Sequence, residues 1–262
     1  MTEAAIRFDD GAAYDGYMGR WSRLAGTQFL DWLAPAPRLR WLDVGCGNGA
    51  FTELLVERCA PIEVRGIDPS EAQLEFARAT HSAGVAQFQQ GDAQAMPYPD
   101  QAFDAAVMAL VIFFLPEPAR GVAEMARVVR PGGSVSAYAW DILGGGFPYA
   151  AMAQEMRELG AAPSLPPSVA SAGLDALVAL WSGAGLEAVG THEITVERTY
   201  ADFESFWTTA LTGPSIMPKI ALMSTADVAV LKVRLRERLA ADAAGRITYG
   251  ARANAVRGRV PG

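Results

Sequence analysis

The pattern of apolar and polar residues in the first half of the chain predicts strands that alternate with helices. Short apolar runs typical of buried strands lie at 39–45, 63–68, 85–90, 103–110 and 134–140. Apolar residues recur at helical spacing at about 50–59, 70–82 and 117–129. Such alternation is typical of βαβ crossovers, so we predict an α/β fold with a mostly parallel sheet and helices on both faces.

The pattern changes after Asp141, where three glycines (144–146) interrupt it. Beyond them we predict helices over 147–159, 173–183, 202–212 and 225–241, and strands over 187–200 and 246–258. Aromatic residues are frequent before the first strand, which indicates a helical lid there. We expect a single domain over 1–262, with a lid at 1–34, a cofactor-binding core at 35–141, and a substrate cap with the remaining sheet at 142–262.

Composition places the chain among cytoplasmic globular proteins. Its 262 residues are 51% hydrophobic and 19% charged, and no apolar run reaches the roughly 18 residues that a membrane span needs. The acidic and polar first residues do not resemble a secretory signal. Two cysteines, Cys46 and Cys59, do not make a disulfide framework.

Charge argues against a nucleic-acid partner. The chain holds 22 Lys and Arg against 29 Asp and Glu, for a net charge of −7. From Lys232 onward, however, the chain contains eight basic residues and only two acidic ones, Glu237 and Asp242. This region is either a solvated helix face with an edge strand or a patch for an anionic substrate or a membrane surface.

The strongest chemical signal is the turn that follows the first predicted strand. Trp41–Val44 runs into glycines at 45, 47 and 49, and an amphipathic helix opens at about Ala50. Glycine permits the sharp turn and a close approach of a ligand to the main chain. The free N–H groups of the helix N-terminus favour a negatively charged ligand group. This arrangement predicts a nucleotide-type site.

Three aspartates narrow the choice of nucleotide. The third glycine comes one residue too early for the dinucleotide fingerprint G-x-G-x-x-G, and Asp43 would repel a pyrophosphate but can hold a cationic group. Asp68 ends the second strand, where a carboxylate binds ribose hydroxyls. Asp92 follows the third strand, within reach of an adenine amino group. With Ala109 after strand four, these positions meet at the carboxyl ends of the strands and favour a cationic nucleoside.

Five segments then carry a family resemblance: DVGCGNG (43–49), GIDPS (66–70), GDA (91–93), FDAAV (103–107) and VVRPGG (128–133). In this order and spacing they resemble the motifs of class I S-adenosylmethionine-dependent methyltransferases. The similarity is greatest to the small-molecule branch of quinone, sterol and natural-product enzymes with a methyltransferase type 11 domain. It covers about 14–141. The resemblance implies a Rossmann-like seven-stranded sheet in which the last strand inserts antiparallel between strands five and six.

The resemblance also implies the cofactor contacts, which fall on Tyr14, Tyr17, Arg20, Asp43, Gly45, Cys46, Gly47, Asp68, Pro69, Asp92, Ala93 and Ala109. In it, Asp43 lies near the cofactor amino group, Asp68 holds the ribose, and Arg20 pairs with the cofactor carboxylate, as an arginine fork can. Alternatively, the lid aromatics only dock the lid on the sheet, and Arg20 makes a surface pair.

The catalytic residue is less clear from the sequence. Some relatives carry a histidine after strand four, where this chain has Phe113, so the obvious general base is missing. Asp141 is the best proton acceptor by position, although it could instead cap the glycine run. The substrate pocket is predicted from Phe113, Trp140, Phe147, Tyr149 and Trp207, although aromatics at helical spacing are more often core. No metal is expected.

We therefore expect an S-adenosylmethionine-dependent methyltransferase (EC 2.1.1.-) that methylates an apolar or aromatic small molecule by in-line displacement, mainly through proximity, and releases S-adenosylhomocysteine. The acceptor atom, O, C or N, stays open, as does a homodimer. The alternatives are a non-catalytic protein that binds the same cofactor and, less favoured, an NAD-dependent oxidoreductase. A nucleic-acid methyltransferase is disfavoured because no Asn/Asp-Pro-Pro-Tyr/Phe segment follows strand four and because the net charge is negative.

Overall fold

The structure is a computed structural model and describes residues 15–80 and 84–262. In these ranges the strands are β1 (Arg40–Val44), β2 (Glu63–Asp68), β3 (Ala86–Gln90), β4 (Phe103–Ala109), β5 (Val129–Trp140), β6 (Glu187–Tyr200) and β7 (Ile247–Arg259). The helices are α1 (Arg20–Leu33), α2 (Ala50–Cys59), α3 (Glu71–Thr80), α4 (Pro118–Val128), α5 (Ala150–Glu158), α6 (Leu174–Gly183), α7 (Phe203–Leu211), α8 (Met217–Ile220) and α9 (Thr225–Arg238). No helix in these ranges has the length and apolar character that crossing a membrane would need.

The strands form one seven-stranded sheet in the order β3-β2-β1-β4-β5-β7-β6. Strands β1 to β5 pair in parallel, while β7 runs antiparallel to both β5 and β6. The insertion of the last strand between the fifth and sixth confirms the predicted sheet. The strand order reverses between β1 and β4, which places the switch point of the sheet beside the glycine turn.

Helices cover both faces of the sheet. On one face, Phe29 of α1 packs on Tyr138 of β5, with ring centroids 4.7 Å apart. On the other, Trp181 of α6 contacts Gly258 of β7, which pairs with Val135 of β5. Tyr138 and Val135 are three residues apart, so their side chains point to opposite faces. The core thus lies in two layers, one on each side of β5.

Two details differ from the predicted elements. Helix α4 ends at Val128, close to its predicted end, but β5 begins directly at Val129 and runs through Pro131-Gly132-Gly133, ahead of the strand predicted at 134–140. Its pairing with β4 jumps from Phe103–Val129 to Ala105–Ser134, which makes a bulge that absorbs the Pro-Gly-Gly segment. Short turns of 3₁₀ helix at 112–114 and 169–172, and the four-residue α8, were not predicted.

The segment predicted as a lid is part of the core where it is described. A π-helical turn at Asp15–Gly19 leads into α1. Trp21 and Phe29 are fully buried, and the indole N–H of Trp21 donates to the Tyr200 hydroxyl (3.2 Å). Helix α1 is therefore fixed against β6.

The basic C-terminal region uses most of its charge internally. Six of its eight basic residues form ion pairs with carboxylates: Lys232, Arg234, Arg236, Arg238, Arg246 and Arg252. Several partners, such as Glu155 and Glu204, lie on other elements of the 142–262 region. These pairs tie α9 to α5 and α7.

Candidate functional site

The glycine turn is fixed by main-chain hydrogen bonds to β2. The amides of Gly45 and Cys46 both donate to the Ile67 carbonyl, at 2.7 and 3.1 Å. Gly45, Gly47 and Gly49 have φ values of 74°, 51° and 84°, a region that favours glycine. The turn delivers the N-terminus of α2 to the switch point of the sheet.

Asp43 lies beneath this turn and is fully buried. The Thr52 hydroxyl donates to its Oδ2 at 2.6 Å, whereas Oδ1 has no hydrogen-bond partner among the described residues. Burial raises the pKa of Asp43 to about 7, while the Thr52 hydrogen bond lowers it and the charge of Asp68 raises it. A buried carboxylate with an unused oxygen is suited to bind a cation.

Asp68 faces the turn from the end of β2. Its Oδ2 accepts the Gly47 amide at 2.9 Å, and its Oδ1 accepts the Ser70 amide at 2.8 Å. Burial raises its pKa, and the two amide hydrogen bonds oppose that shift. Each carboxylate oxygen has a second lone pair, so Asp68 keeps acceptor capacity for ligand hydroxyls.

The remaining predicted cofactor residues lie around the same strand ends. Asp92 is exposed after β3 and accepts the Gln94 amide at 2.8 Å, next to the buried Ala93. Cys46 is buried, and burial raises its pKa well above the usual value, followed by the charges of Asp43 and Asp68. A raised pKa favours the neutral and less reactive form of the Cys46 thiol.

The residues that follow strand β4 connect the carboxyl ends of the strands to a neighbouring cavity. After Ala109, Leu110 has φ 64° and donates its amide to the Tyr138 carbonyl at 2.8 Å. Val111 packs against the Gly45 backbone so closely that a Cβ on Gly45 would lie 2.5 Å from Val111 Cγ2. Leu110 in turn lines the cavity, which therefore begins next to the glycine turn.

The cavity has a volume of about 670 Å³ and lies under the cap. Three of the residues predicted to bind substrate line it: Phe113, Trp140 and Phe147. Trp140 is 2% exposed, and its indole N–H has no hydrogen-bond partner among the described residues. The wall is mostly apolar, which suits an apolar ligand.

Other predicted residues lie elsewhere. Tyr17, predicted to contact the cofactor, lines the cavity and stacks on Tyr149 with ring centroids 4.5 Å apart. Tyr149 is buried behind it and donates to the Tyr17 carbonyl at 2.9 Å. Trp207 stacks on Phe203, and neither it nor Tyr149 appears in the described lining of the cavity. Arg20 is exposed at the start of α1.

Tyr14 lies outside the described residues. The cofactor and substrate roles of Tyr14, Tyr17, Arg20, Tyr149 and Trp207 stay predictions.

Asp141 is engaged in structural contacts. Its Oδ2 accepts Nε and Nη2 of Arg252 at 3.0 and 2.5 Å, and its Oδ1 accepts the Gly144 amide at 3.0 Å. The carboxylate thus caps the glycine loop and pairs with β7. Its role as a proton acceptor stays a prediction.

Sequence reasoning missed the charged part of the cavity wall. Arg157 on α5 and Arg238 on α9 line it, while no Asp, Glu or His is found among the described lining residues. Tyr249 of β7 also lines it. The amphipathic pattern predicted α5, but the side that faces the cavity depends on how β7 and α9 pack against it.

The chain was compared with known proteins. Residues 42–137 match a family described as a methyltransferase domain. An uncharacterized methyltransferase of Mycobacterium tuberculosis is 40% identical over 104 residues, which cover 40% of this chain and 41% of that protein. The demethylmenaquinone methyltransferase of Deinococcus radiodurans is 40% identical over 117 residues, or 43% of this chain and 46% of that protein. The matched part spans less than half the length of each relative.

Among solved structures, phosphoethanolamine N-methyltransferase 2 of Haemonchus contortus superposes with a TM-score of 0.61 at 16% identity, covering 98% of this chain and 59% of that one. At this identity the likeness concerns the fold alone. The structural similarity includes both the carboxyl ends of the strands and the region 142–262.

Proposed function

We propose that the chain, whose residues 42–137 match a methyltransferase domain family, is an S-adenosylmethionine-dependent methyltransferase acting on an apolar or aromatic small molecule. The observation that carries the proposal is Asp43, a fully buried carboxylate with one unpartnered oxygen beneath the glycine turn. In its ionised form such a group is costly unless a cation satisfies it. A cationic nucleoside fits this charge better than a dinucleotide.

The residues at the strand ends fit this cofactor. Asp43 would take its ammonium group, the glycines at 45 and 47 would let its methionine part approach the main chain, and Asp68 would bind its ribose hydroxyls through the remaining lone pairs. Asp92 and Ala93 would meet its adenine. When bound, S-adenosylmethionine supplies an electrophilic methyl group.

The cavity would position the methyl acceptor. Leu110 lines the cavity and its neighbour Val111 packs against Gly45, so an acceptor held against Phe113 and Trp140 would be close to the donor. Holding two reactants in line and away from water can supply much of the rate. The related fatty-acid O-methyltransferase of Mycolicibacterium smegmatis and the demethylmenaquinone methyltransferase are named for apolar acceptors, which supports an acceptor of this kind.

The proton of the acceptor has no obvious destination in the cavity. No Asp, Glu or His is among its described lining residues, and both Asp141 oxygens already accept hydrogen bonds. This favours an acceptor that needs no protein base: an acidic phenol or a carboxylic acid that is already ionised, or a neutral amine whose methylated product releases its proton to water. It equally suits the alternative of a non-catalytic protein that binds the cofactor, which a methyl-transfer assay separates.

Titration calorimetry with S-adenosylmethionine and S-adenosylhomocysteine tests the cofactor. We expect micromolar binding of both, and weaker binding by about 1–3 kcal/mol in Asp68→Asn, because the amide loses acceptor capacity toward the ribose. Asp175→Asn, a change at an exposed residue of α6, is the matched control and should bind as the unmodified chain does. No heat with either ligand would overturn the proposal.

A methyl-transfer assay with hydroquinones, phenols, carboxylic acids and amines tests the activity. Transfer to any of them supports the enzyme, whereas cofactor binding without transfer across the whole set favours the non-catalytic alternative. Sedimentation of the same sample tests the homodimer, which stays a prediction.

A further inference from the structure

We propose that the methyl acceptor is an amphipathic molecule whose anionic head group binds Arg157 while its apolar body occupies the cavity. The inference rests on the proposed function, because it names the substrate class of that site. It comes from the uneven distribution of charge in the cavity wall.

Apolar side chains make up most of the wall and continue to its rim. Phe113 and Phe147 lie inside, while Leu143 and Leu165 are 64% and 51% exposed and also line the cavity. Exposed leucines at a cavity mouth leave apolar surface in water unless a ligand covers it. The body of the ligand is therefore apolar and long enough to reach the rim.

The charged groups of the wall are both cations. Arg238 is held by Glu155 at 2.9 Å and by the Gln154 side chain. Arg234 also reaches Glu155, at 3.7 Å, so the charge of this carboxylate is already shared by two arginines. Arg157 has no ion pair with any described residue and is exposed.

Arg157 is thus a surplus positive charge on the cavity wall. The chain as a whole has a net charge of −7, so an anion is attracted here by a local arrangement and not by the overall charge. A guanidinium fork binds a carboxylate or a phosphate with two parallel hydrogen bonds. An anionic head group is what this end of the wall recognises.

Helix α5 contributes both apolar and charged residues to the cavity wall. Its buried Ala151 donates its amide to the Tyr249 hydroxyl at 3.0 Å, and Arg157 lies in its last turn. Six residues of helix place Arg157 about 9 Å farther along the axis than Ala151. The wall along α5 therefore runs from the buried Ala151 to the exposed and cationic Arg157, which fits a ligand with an apolar body and an anionic head group.

Calorimetry with S-adenosylhomocysteine already bound tests this, using decanoate, decyl phosphate, decan-1-ol and decyltrimethylammonium as probes. We expect decanoate or decyl phosphate to bind roughly fivefold or more tightly than decanol, and the cationic probe to bind worst. The preference of one anion over the other identifies a carboxylate or a phosphate head group. The preference for the anions over decanol should decrease as salt is added, because Arg157 is exposed and its charge is screened.

Arg157→Gln should remove the preference for the anions and leave decanol binding unchanged, while Arg157→Lys should retain part of it. Arg120→Gln is the matched control, because Arg120 is an exposed helical arginine that lies outside the cavity. Equal binding of decanoate and decanol, or a preference that survives in Arg157→Gln, would overturn the inference. Each variant is also titrated with S-adenosylhomocysteine alone, so that loss of the cofactor site is recognised separately.

Discussion

The glycine turn and the cavity beside it are held by different kinds of interaction. At the turn, main-chain amides of Gly45, Cys46 and Gly47 bond to β2, within 25 residues of sequence. The cavity is enclosed by side chains from elements as distant in sequence as Tyr17 and Tyr249. The first region depends on backbone conformation and the second on tertiary packing.

This difference predicts how each region responds to substitution. A site made of main-chain groups tolerates changes of side chain except where a Cβ or a buried charge is involved. A site made of side chains from many elements changes shape whenever one of them is replaced. Relatives can therefore share the turn while their cavities accept different molecules.

Among the substitutions, replacing Gly45 should give the largest effect, because both stability and cofactor binding are affected. A small effect would contradict the view that the turn depends on backbone conformation. In Gly45→Ala the new Cβ would lie 2.5 Å from Val111 Cγ2, at φ 74°. Left-handed strain and the clash together should lower the free energy of unfolding by about 2–4 kcal/mol and abolish binding of S-adenosylhomocysteine. Urea denaturation and calorimetry measure the two effects.

Gly47→Ala is the matched control, because it has φ 51° but its Cβ would meet nothing closer than 4.0 Å, the Gln73 Oε1. Only the backbone strain remains, so this variant should lose about 1 kcal/mol. Equal destabilisation by the two variants would show that Val111 does not press on the turn.

The same division explains what the sequence could predict. Asp43, Asp68 and Asp92 follow directly from strand ends, and the antiparallel last strand followed from the family resemblance. The pairing of Arg238 with Glu155 joins residues 83 positions apart, and no local pattern indicates it. For the same reason, the sequence could not show that Arg157 lines the cavity.

Asp43 should make the stability of the protein depend on pH. Because burial raises its pKa to about 7, the fold favours the protonated form, and this group makes the protein most stable below about pH 4. The free energy of unfolding should fall, by on the order of 4 kcal/mol, as the pH rises from there to about 7. Denaturation from about pH 5 to pH 8 should show part of this fall, which Asp43→Asn removes.

Cofactor binding should have the opposite dependence on pH. The ammonium group needs the ionised carboxylate, so affinity for S-adenosylhomocysteine should decrease as the pH falls below about 7 in the unmodified chain. In Asp43→Asn the affinity is lower throughout, with no such decrease from this group. A pH-independent affinity in the unmodified chain would mean that Asp43 does not bind the ammonium group.

Two buried tryptophans, one in the core and one in the cavity wall, differ in their hydrogen bonding. The Trp181 indole donates to the Val135 carbonyl at 2.9 Å, whereas the Trp140 indole has no described partner. Trp→Phe removes the same atoms at each site. Trp181→Phe should therefore be less stable than Trp140→Phe by about 1–3 kcal/mol, since only Trp181 loses a hydrogen bond. Equal losses in urea denaturation would indicate that Trp140 has a partner after all.

The smallest effect is expected at Asp141, which holds a loop of the cavity wall. Its bonds to Arg252 and to the Gly144 amide hold the glycine loop, and Gly145 of that loop lines the cavity. Asp141→Asn keeps the cap but weakens the pair, so we expect a loss of about 1 kcal/mol in stability and a rise in KM of the acceptor with little change in kcat. If Asp141 instead accepts the proton of the acceptor, kcat falls by 100-fold or more, and its pH profile loses the limb that reports the base. Steady-state kinetics against pH distinguishes a structural role of Asp141 in the loop from a role as proton acceptor. Asp202→Asn is the control, at an exposed helix cap.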